Sequence, residues 1–319
     1  MPDQTTEVRD ARPGQGHFVA PPDEVEVLAT DRLDETTSPS SVWRDAWRQL
    51  RRNPIFVIAT VLIAFVLVVV AWPSLFTDLD PRYCSGDFSM HGPASGHPFG
   101  FDKQGCDIFA RTLYGARASV ATGVGATLLF ILIGGTLGAL SGYYGGLLDS
   151  IVSRIAEIFY ALPLMLAAIV VMQLLDSRTI FTVMLTLASF SWPQAARIAR
   201  SAVIQAKNSE YVTAAKALGV SRFRTLIRHV LPNSAGPLIV VSTISLGAFI
   251  VTEATLSYLG VGLSRTIVSW GGDIAADQKE IRTSGILFYP ATALALTVLS
   301  FILLGDAVRD ALDPKARKR

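Results

Sequence analysis

Residues 55–72 read IFVIATVLIAFVLVVVAW, an unbroken apolar run with no charged side chain. A helix needs roughly 20 apolar residues to cross the hydrocarbon core of a bilayer, so this run reads as a membrane span. Five further apolar stretches follow, at about 120–142, 158–175, 179–196, 238–259 and 286–304. Pro163, Pro193 and Pro290 interrupt three of them. Proline is tolerated in buried membrane helices because neighbours satisfy the carbonyl it frees.

Lysine and arginine in the flanks set the orientation. Arg44, Arg48, Arg51 and Arg52 precede the first span. Arg197, Arg200, Lys207, Lys216, Arg222, Arg224 and Arg228 lie between the fourth and fifth, and Lys315, Arg317, Lys318 and Arg319 close the chain. With six spans, all three clusters fall on one side, the cytoplasm, and both termini lie there. Missing one span would put them on opposite sides. Residues 73–119 and 260–285 then form outward loops and 305–319 a cytoplasmic tail.

The composition agrees. Of 319 residues, 50% are hydrophobic and 17% charged, where soluble domains run near a quarter charged, and pI is about 8.6. A net charge of +2 gives no electrostatic basis for nucleic-acid binding. Residues 1–41 are polar and acidic, which predicts a disordered tail and no secretory signal peptide. Over 42–54, Trp43, Trp47 and Leu50 fall on one side at helical spacing and the arginines elsewhere, as in a helix lying on an anionic membrane surface.

Within the cytoplasmic loop 197–237, residues 209–233 read as two short amphipathic helices. Tyr211, Ala214, Ala215 and Leu218 share one face. Glu210 suits the positive end of the helix dipole, and Gly219 follows where a left-handed C-cap residue is expected. Ser221 can cap the second helix, whose face is Phe223, Leu226, Ile227, Val230 and Leu231, and Pro232 is expected to end it. A helix projecting from a membrane bundle either finds a groove in a partner or packs beneath its own bundle.

The stretch EYVTAAKALG at 210–219, closing with HVLPN at 229–233, resembles the cytoplasmic signature of ABC importer permeases. Further segments resemble the dipeptide/oligopeptide group, which includes nickel permeases, and specifically its C-type subunit. These are RRNP at 51–54, HPFGFD at 97–102, GCD at 105–107, YGAR at 114–117, GYYGG at 142–146, ALP at 161–163, EATLSYLG at 253–260, SWG at 269–271 and LGDAVRDALDP at 304–314. The resemblance covers about residues 43–315.

It implies an all-α membrane protein of six transmembrane helices in the plasma (inner) membrane of a prokaryote. The chain would pair with a second related permease subunit, two ATPase subunits and an extracytoplasmic peptide-binding protein. It would import di- or oligopeptides, or alternatively nickel or another small solute. The ATPase-coupling residues would be Glu210, Tyr211, Ala214, Ala215, Lys216, Leu218 and Gly219. Thr213 stands where the signature often has Glu, so no salt bridge is carried over to that position.

The group often has Arg at position 106, where this chain has Cys106, and the other cysteine, Cys84, lies in the same outward loop. In an oxidising compartment a Cys84–Cys106 disulfide is expected, the alternative being two free thiols. Glu253, deep in the fifth span, has two readings. It lines the solute pathway or the interface with the partner permease, or it is protonated or bonded to a neighbouring helix. Gly134, Gly138 and Gly142, four apart, suit close helix packing rather than gating. Trp72, Trp192 and Trp270 suit interfacial anchors. Asp306, Asp310 and Asp313 suit a solvated helix end.

The four histidines are scattered, and no H-E-x-x-H, G-x-S-x-G or G-x-x-x-x-G-K-[ST] occurs. No cofactor, metal or catalytic residue is expected, and any ATP chemistry belongs to another subunit. A secondary transporter is the rival of another class. Such proteins often show internal repeats, which this chain lacks.

Overall fold

The computed structural model describes residues 42–280 and 285–312. The expected tail 1–41 and the basic end with Asp313 lie outside them. The described residues are helical, with β-bridges only between isolated residues. The order is α1 (Val42–Leu50), α2 (Pro54–Ala71), α3 (Ile108–Phe130), α4 (Thr136–Tyr144), α5 (Gly146–Ala161), α6 (Leu164–Leu174), α7 (Ile180–Lys207), α8 (Glu210–Ala217), α9 (Arg222–Thr225), α10 (Leu231–Tyr258), α11 (Trp270–Asp277) and α12 (Phe288–Leu312).

Among the described residues, four helical stretches are long and apolar enough to cross a membrane: Pro54–Ala71, Ile108–Tyr144, Arg222–Tyr258 and Phe288–Leu312. The pair α5 and α6, bent by 85°, is together long and apolar enough for a fifth, as a broken span or a re-entrant loop. The structure thus differs from the sequence reading at the third and fourth stretches. The third, 158–175, is not one helix. Leu162 and Pro163 are extended and split it. The fourth is longer than 179–196, because nothing between Ala195 and Ala206 breaks α7 and the helix runs on to Lys207. Its inner part carries Gln194, Arg197, Arg200 and Gln205, too polar to count as an apolar span.

Other boundaries shift for local reasons. The second helix starts at Ile108, not 120, because Asp107 caps it, its carboxylate accepting from Ala110 N at 2.6 Å. Pro232 does not end the second loop helix. A π-helical turn over Leu226–Val230 joins α9 to α10, and the Asn233 side chain donates to His229 O at 2.7 Å. Pro290 falls in the first turn of α12, where a missing N–H costs no helical bond. Trp192 and Trp270 are buried rather than interfacial, whereas Trp72 is exposed.

The core joins α3, α6, α7 and α10 through Phe130, Met172, Leu187, Phe249 and Leu256. Along α3 and α4 the contact with α7 is backbone to backbone. A Cβ added to Gly134 would lie 2.3 Å from Trp192 O, and one added to Gly138 2.1 Å from Ala196 O. At Gly142 the distance to Arg200 O would be 2.8 Å. The glycine repeat is therefore a packing seam. α1 buries Ala46 and Leu50 against Ala307 and Ala311 of α12, so its inward side faces a helix rather than lipid.

At the opposite end, residues 73–107 form a cap closed by a Cys84–Cys106 disulfide. Phe88 stacks on Phe101, and His97 Nδ1 meets Asp107 Oδ2 at 2.7 Å. Phe99 stacks on Tyr289, which ties the cap to α12. Arg111 fastens α3 to α11 through Asp273, its Nε 3.1 Å from Oδ1, and reaches Asp102 at 3.9 Å. Burial pushes the Asp273 carboxyl up to about 6 against the pull of Arg111, and burial raises Asp102 too.

Candidate functional site: a coupling face at the inner end of the bundle

α8 begins with Glu210 in its first turn, after Ser209 in extended conformation. It ends in a left-handed glycine. Gly219 has φ +79°, its N–H donates to Lys216 O at 3.0 Å, and Val220 N donates to Ala215 O at 3.1 Å. This paired closure satisfies two carbonyls that the helix end leaves open and turns the chain sharply toward α9.

The helix has two working faces. Val212 is buried in a small core with Ala139 of α4, Val203 and Ala206 of α7, and Leu226 and Val230 of the π-helical turn before α10, and Ala215 is buried as well. Tyr211, Ala214, Lys216 and Leu218 point away from it, with Leu218 84% exposed. Phe223 and Ile227 extend this exposed apolar surface. The single face read from the sequence is therefore split: Ala215 turns inward, and Tyr211, Ala214 and Leu218 stay open. Val212, which the sequence reading missed, is the main anchor. Its three-residue spacing from Ala215 was the available signal.

Around this site α7 spends two of its cations on the protein's own groups. Arg200 binds Asp149 of α5 through two bonds, of 2.5 and 2.7 Å, and Lys207 Nζ donates to Gly142 O at 2.6 Å. α4, α5, α7 and α8 are thereby held together at this end.

Glu253 lies in the outer part of α10 and is wholly buried. Ser257 Oγ donates to its Oε1 at 2.8 Å and itself accepts from Leu263 N at 3.1 Å. Ser119 of α3 lies beside the carboxyl and accepts from Trp270 N at 3.3 Å. Glu253 is thus enclosed by groups of this chain's own α3 and α10.

The sequence profile for the binding-protein-dependent transport system inner membrane component matches residues 134–318, which include the α4–α7 seam, α8 and Glu253. The chain belongs to that family. A second profile, the N-terminal TM domain of oligopeptide transport permease C, matches residues 41–88. Among curated relatives, the oligopeptide transport system permease protein OppC of Bacillus subtilis is 38% identical, over 87% of this chain and 91% of its own length. The dipeptide transport system permease protein DppC of the same organism is 39% identical over 100% of this chain and 99% of its own. The glutathione transport system permease protein GsiD of Pectobacterium atrosepticum is 35% identical over 91% and 97%. A solved chain of the MetNI methionine ABC transporter, described in inward-facing conformations, shares the fold with a TM-score of 0.53 at 17% identity, covering 64% of this chain and 96% of that one. This member of the family is a transport permease component and not itself an enzyme.

Proposed function

We propose that this chain is one membrane subunit of an ATP-driven, binding-protein-dependent importer of di- or oligopeptides, and that α8 is its contact with an ATPase subunit. The observation that carries the reading is the division of α8 into an inward face and an outward one. Val212 fixes the helix to α4, α7 and the turn before α10, while Tyr211, Ala214 and Leu218 offer an apolar surface left exposed by the described residues. A helix so mounted passes a push on its open face directly into α4, α7 and α10. The peptide reading is supported by relatives named for oligopeptides, dipeptides and glutathione.

The chain crosses the membrane six times in this reading, with α7 counted as the sixth crossing, and both termini are cytoplasmic in a bacterial inner membrane. The contact of α1 with the inner end of α12 supports an even number of crossings. The arginines and lysines on α1, α8 and α9, with Lys207 at the end of α7, support that end as the cytoplasmic one. The complex holds a second related permease, two ATPase subunits and an extracytoplasmic peptide-binding protein. ATP-driven closure of the ATPases moves α8 and switches access between the two sides.

The test is uptake of a labelled short peptide in cells lacking this chain, restored with wild type, Leu218→Asp or Val212→Asp. Leu218→Asp should reach the membrane at normal abundance yet fail to restore uptake, with ATPase subunits no longer co-purifying. Val212→Asp should lower abundance itself, because it buries a charge. Normal uptake with Leu218→Asp would refute the docking role. Wild type that restores nickel but not peptide uptake would refute the cargo.

A further inference from the structure

α7 carries three cations in its inner half, and two of them are satisfied internally: Arg200 by Asp149 and Lys207 by Gly142 O. Arg197 is different. Its guanidinium lies over the Tyr160 ring at 4.1 Å, the side chain is exposed, and no hydrogen bond or ion pair from a described residue engages it. It belongs to a stripe of exposed polar side chains, Gln194, Arg197, Ser201 and Gln205, at helical spacing.

The depth of this stripe is what makes it informative. α7 has 28 residues and so is about 42 Å long, and Arg197 sits about 15 Å short of its inner end. In the reading that counts α7 as a crossing from its Thr179 cap, Arg197 lies about 26 Å along the helix, inside a ~30 Å hydrocarbon core. An arginine there is costly against lipid and faces water or an anion. The neighbouring α5 gives the same signal. Its Arg154–Glu157 pair, at 2.9 Å, is exposed, although α5 packs beside Trp192 and Ala196 in mid-α7.

We infer that the Gln194–Gln205 stripe of α7 is a wall of the aqueous path, and that Arg197, braced on Tyr160, receives the free carboxylate of a peptide in transit. The inference rests on the peptide-importer reading above. A guanidinium presents a planar fork of N–H donors that matches a carboxylate in two bonds, and stacking on an aromatic ring fixes its plane in advance. Every unmodified peptide has one C-terminal carboxylate whatever its side chains, so a single arginine gives a handle independent of peptide sequence. The rival anion is an acidic side chain of the second permease.

The experiment uses the complete importer, with both permeases, the ATPases and the binding protein, reconstituted in liposomes. Uptake of a short peptide and of its C-terminal amide is compared at saturating binding protein for wild type, Arg197→Gln and Arg197→Lys. Arg197→Gln is expected to lower free-acid uptake about tenfold or more while changing amide uptake little, and Arg197→Lys to restore part of the difference. In parallel, Ser201→Cys is treated with a charged thiol reagent and the chain examined by mass. Both native cysteines are in the disulfide, so the new thiol is the chain's only free one. Labelling of Ser201→Cys is expected.

Intact free-acid uptake by Arg197→Gln overturns the inference alone. So does loss of the second permease from the Arg197→Gln complex, which would assign the arginine to the subunit interface. No labelling of Ser201→Cys removes the aqueous wall. A wild-type complex that hydrolyses ATP but imports no peptide overturns the peptide reading and this inference with it.

Discussion

Replacing Gly138 by alanine tests whether α4 and α7 touch through their backbones. The added Cβ would sit 2.1 Å from Ala196 O and 2.7 Å from the Ala196 Cα. Nonbonded carbon needs about 3.5 Å, so the two helices must part by roughly 1 Å or more. The contacts at Gly134 and Gly142 lie in the same seam and would loosen together. Overpacking of this kind costs about 1–3 kcal/mol, and a rigid carbonyl with no rotamer to yield places Gly138 at the upper end. For a chain of this size that lowers the apparent unfolding temperature by roughly 5–10 °C. The assay is thermal unfolding of the detergent-solubilised protein followed by tryptophan emission. Trp192 is a local reporter, since it packs on Val152 and Ala196 beside the seam. Gly86→Ala is the control, because a Cβ there meets nothing within 4 Å. If Gly138→Ala unfolds within a degree of wild type while Trp192 emission is unchanged, the backbone seam is wrong.

Two further perturbations address the outer end. Opening the Cys84–Cys106 bond, with both cysteines changed to serine, frees a loop whose closure is worth about 3 kcal/mol in the chain-entropy model. Limited proteolysis between 85 and 105 should become markedly faster, and equal rates would show that the surrounding packing alone holds the cap. Asp273 is the titrating partner of Arg111, with its carboxyl raised from 3.8 to about 6 by burial. A raised acid favours the folded state most below pH 3.8, and that contribution is lost as pH rises through about 6. Wild type should therefore become more heat-stable between pH 7.5 and 5, whereas Asp273→Asn should lose that part of the slope. Equal slopes would assign the pH dependence to other groups.

Much of α8 was legible because its signals are local. An acidic residue in the first turn and a glycine after the last apolar position act within one helix, and both fall where the sequence puts them. The spacing of Val212 and Ala215 marks an inward face of α8, but what that face packs against was not legible. Val212 is buried by Val203 and Ala206 on one helix and Leu226 on another, and no spacing within α8 reveals them. The proline at 232 misled because the rule that proline ends helices assumes an unbroken ladder, and here a π-helical turn precedes it. The length of α7 was not legible, because Arg197 and Arg200 read as markers of a loop and instead sit on a continuous helix, Arg200 in an ion pair and Arg197 exposed. The same polar residues make the second half of α7 less apolar than a membrane span.

The distribution of rigid contacts bears on how a push at α8 would be used. At the inner end α8 shares a core with α4, α7 and the turn before α10, and α4 touches α7 backbone to backbone, which would make these elements move together. At the outer end Arg111–Asp273 and the bond from Trp270 N to Ser119 fasten α3 to α11, and the disulfide closes the cap. Compliance is left to the chain between. Gly145 and Gly146 both have positive φ and no neighbour that a Cβ would meet, and the α5–α6 bend at Leu162–Pro163 follows one helix later. α5 is the segment flanked by both breaks, and it is tied to the moving body through Asp149–Arg200 alone among its ion pairs to other helices in the described residues. Displacement of α8 would then reach α5 through that pair and through the packing of Val152 on Trp192 and Ala196, and turn it about its two ends. Since Tyr160 lies at the far end of α5 and braces Arg197, the same rotation would withdraw the ring from the guanidinium, which would couple the proposed ATPase contact to the proposed hold on the peptide.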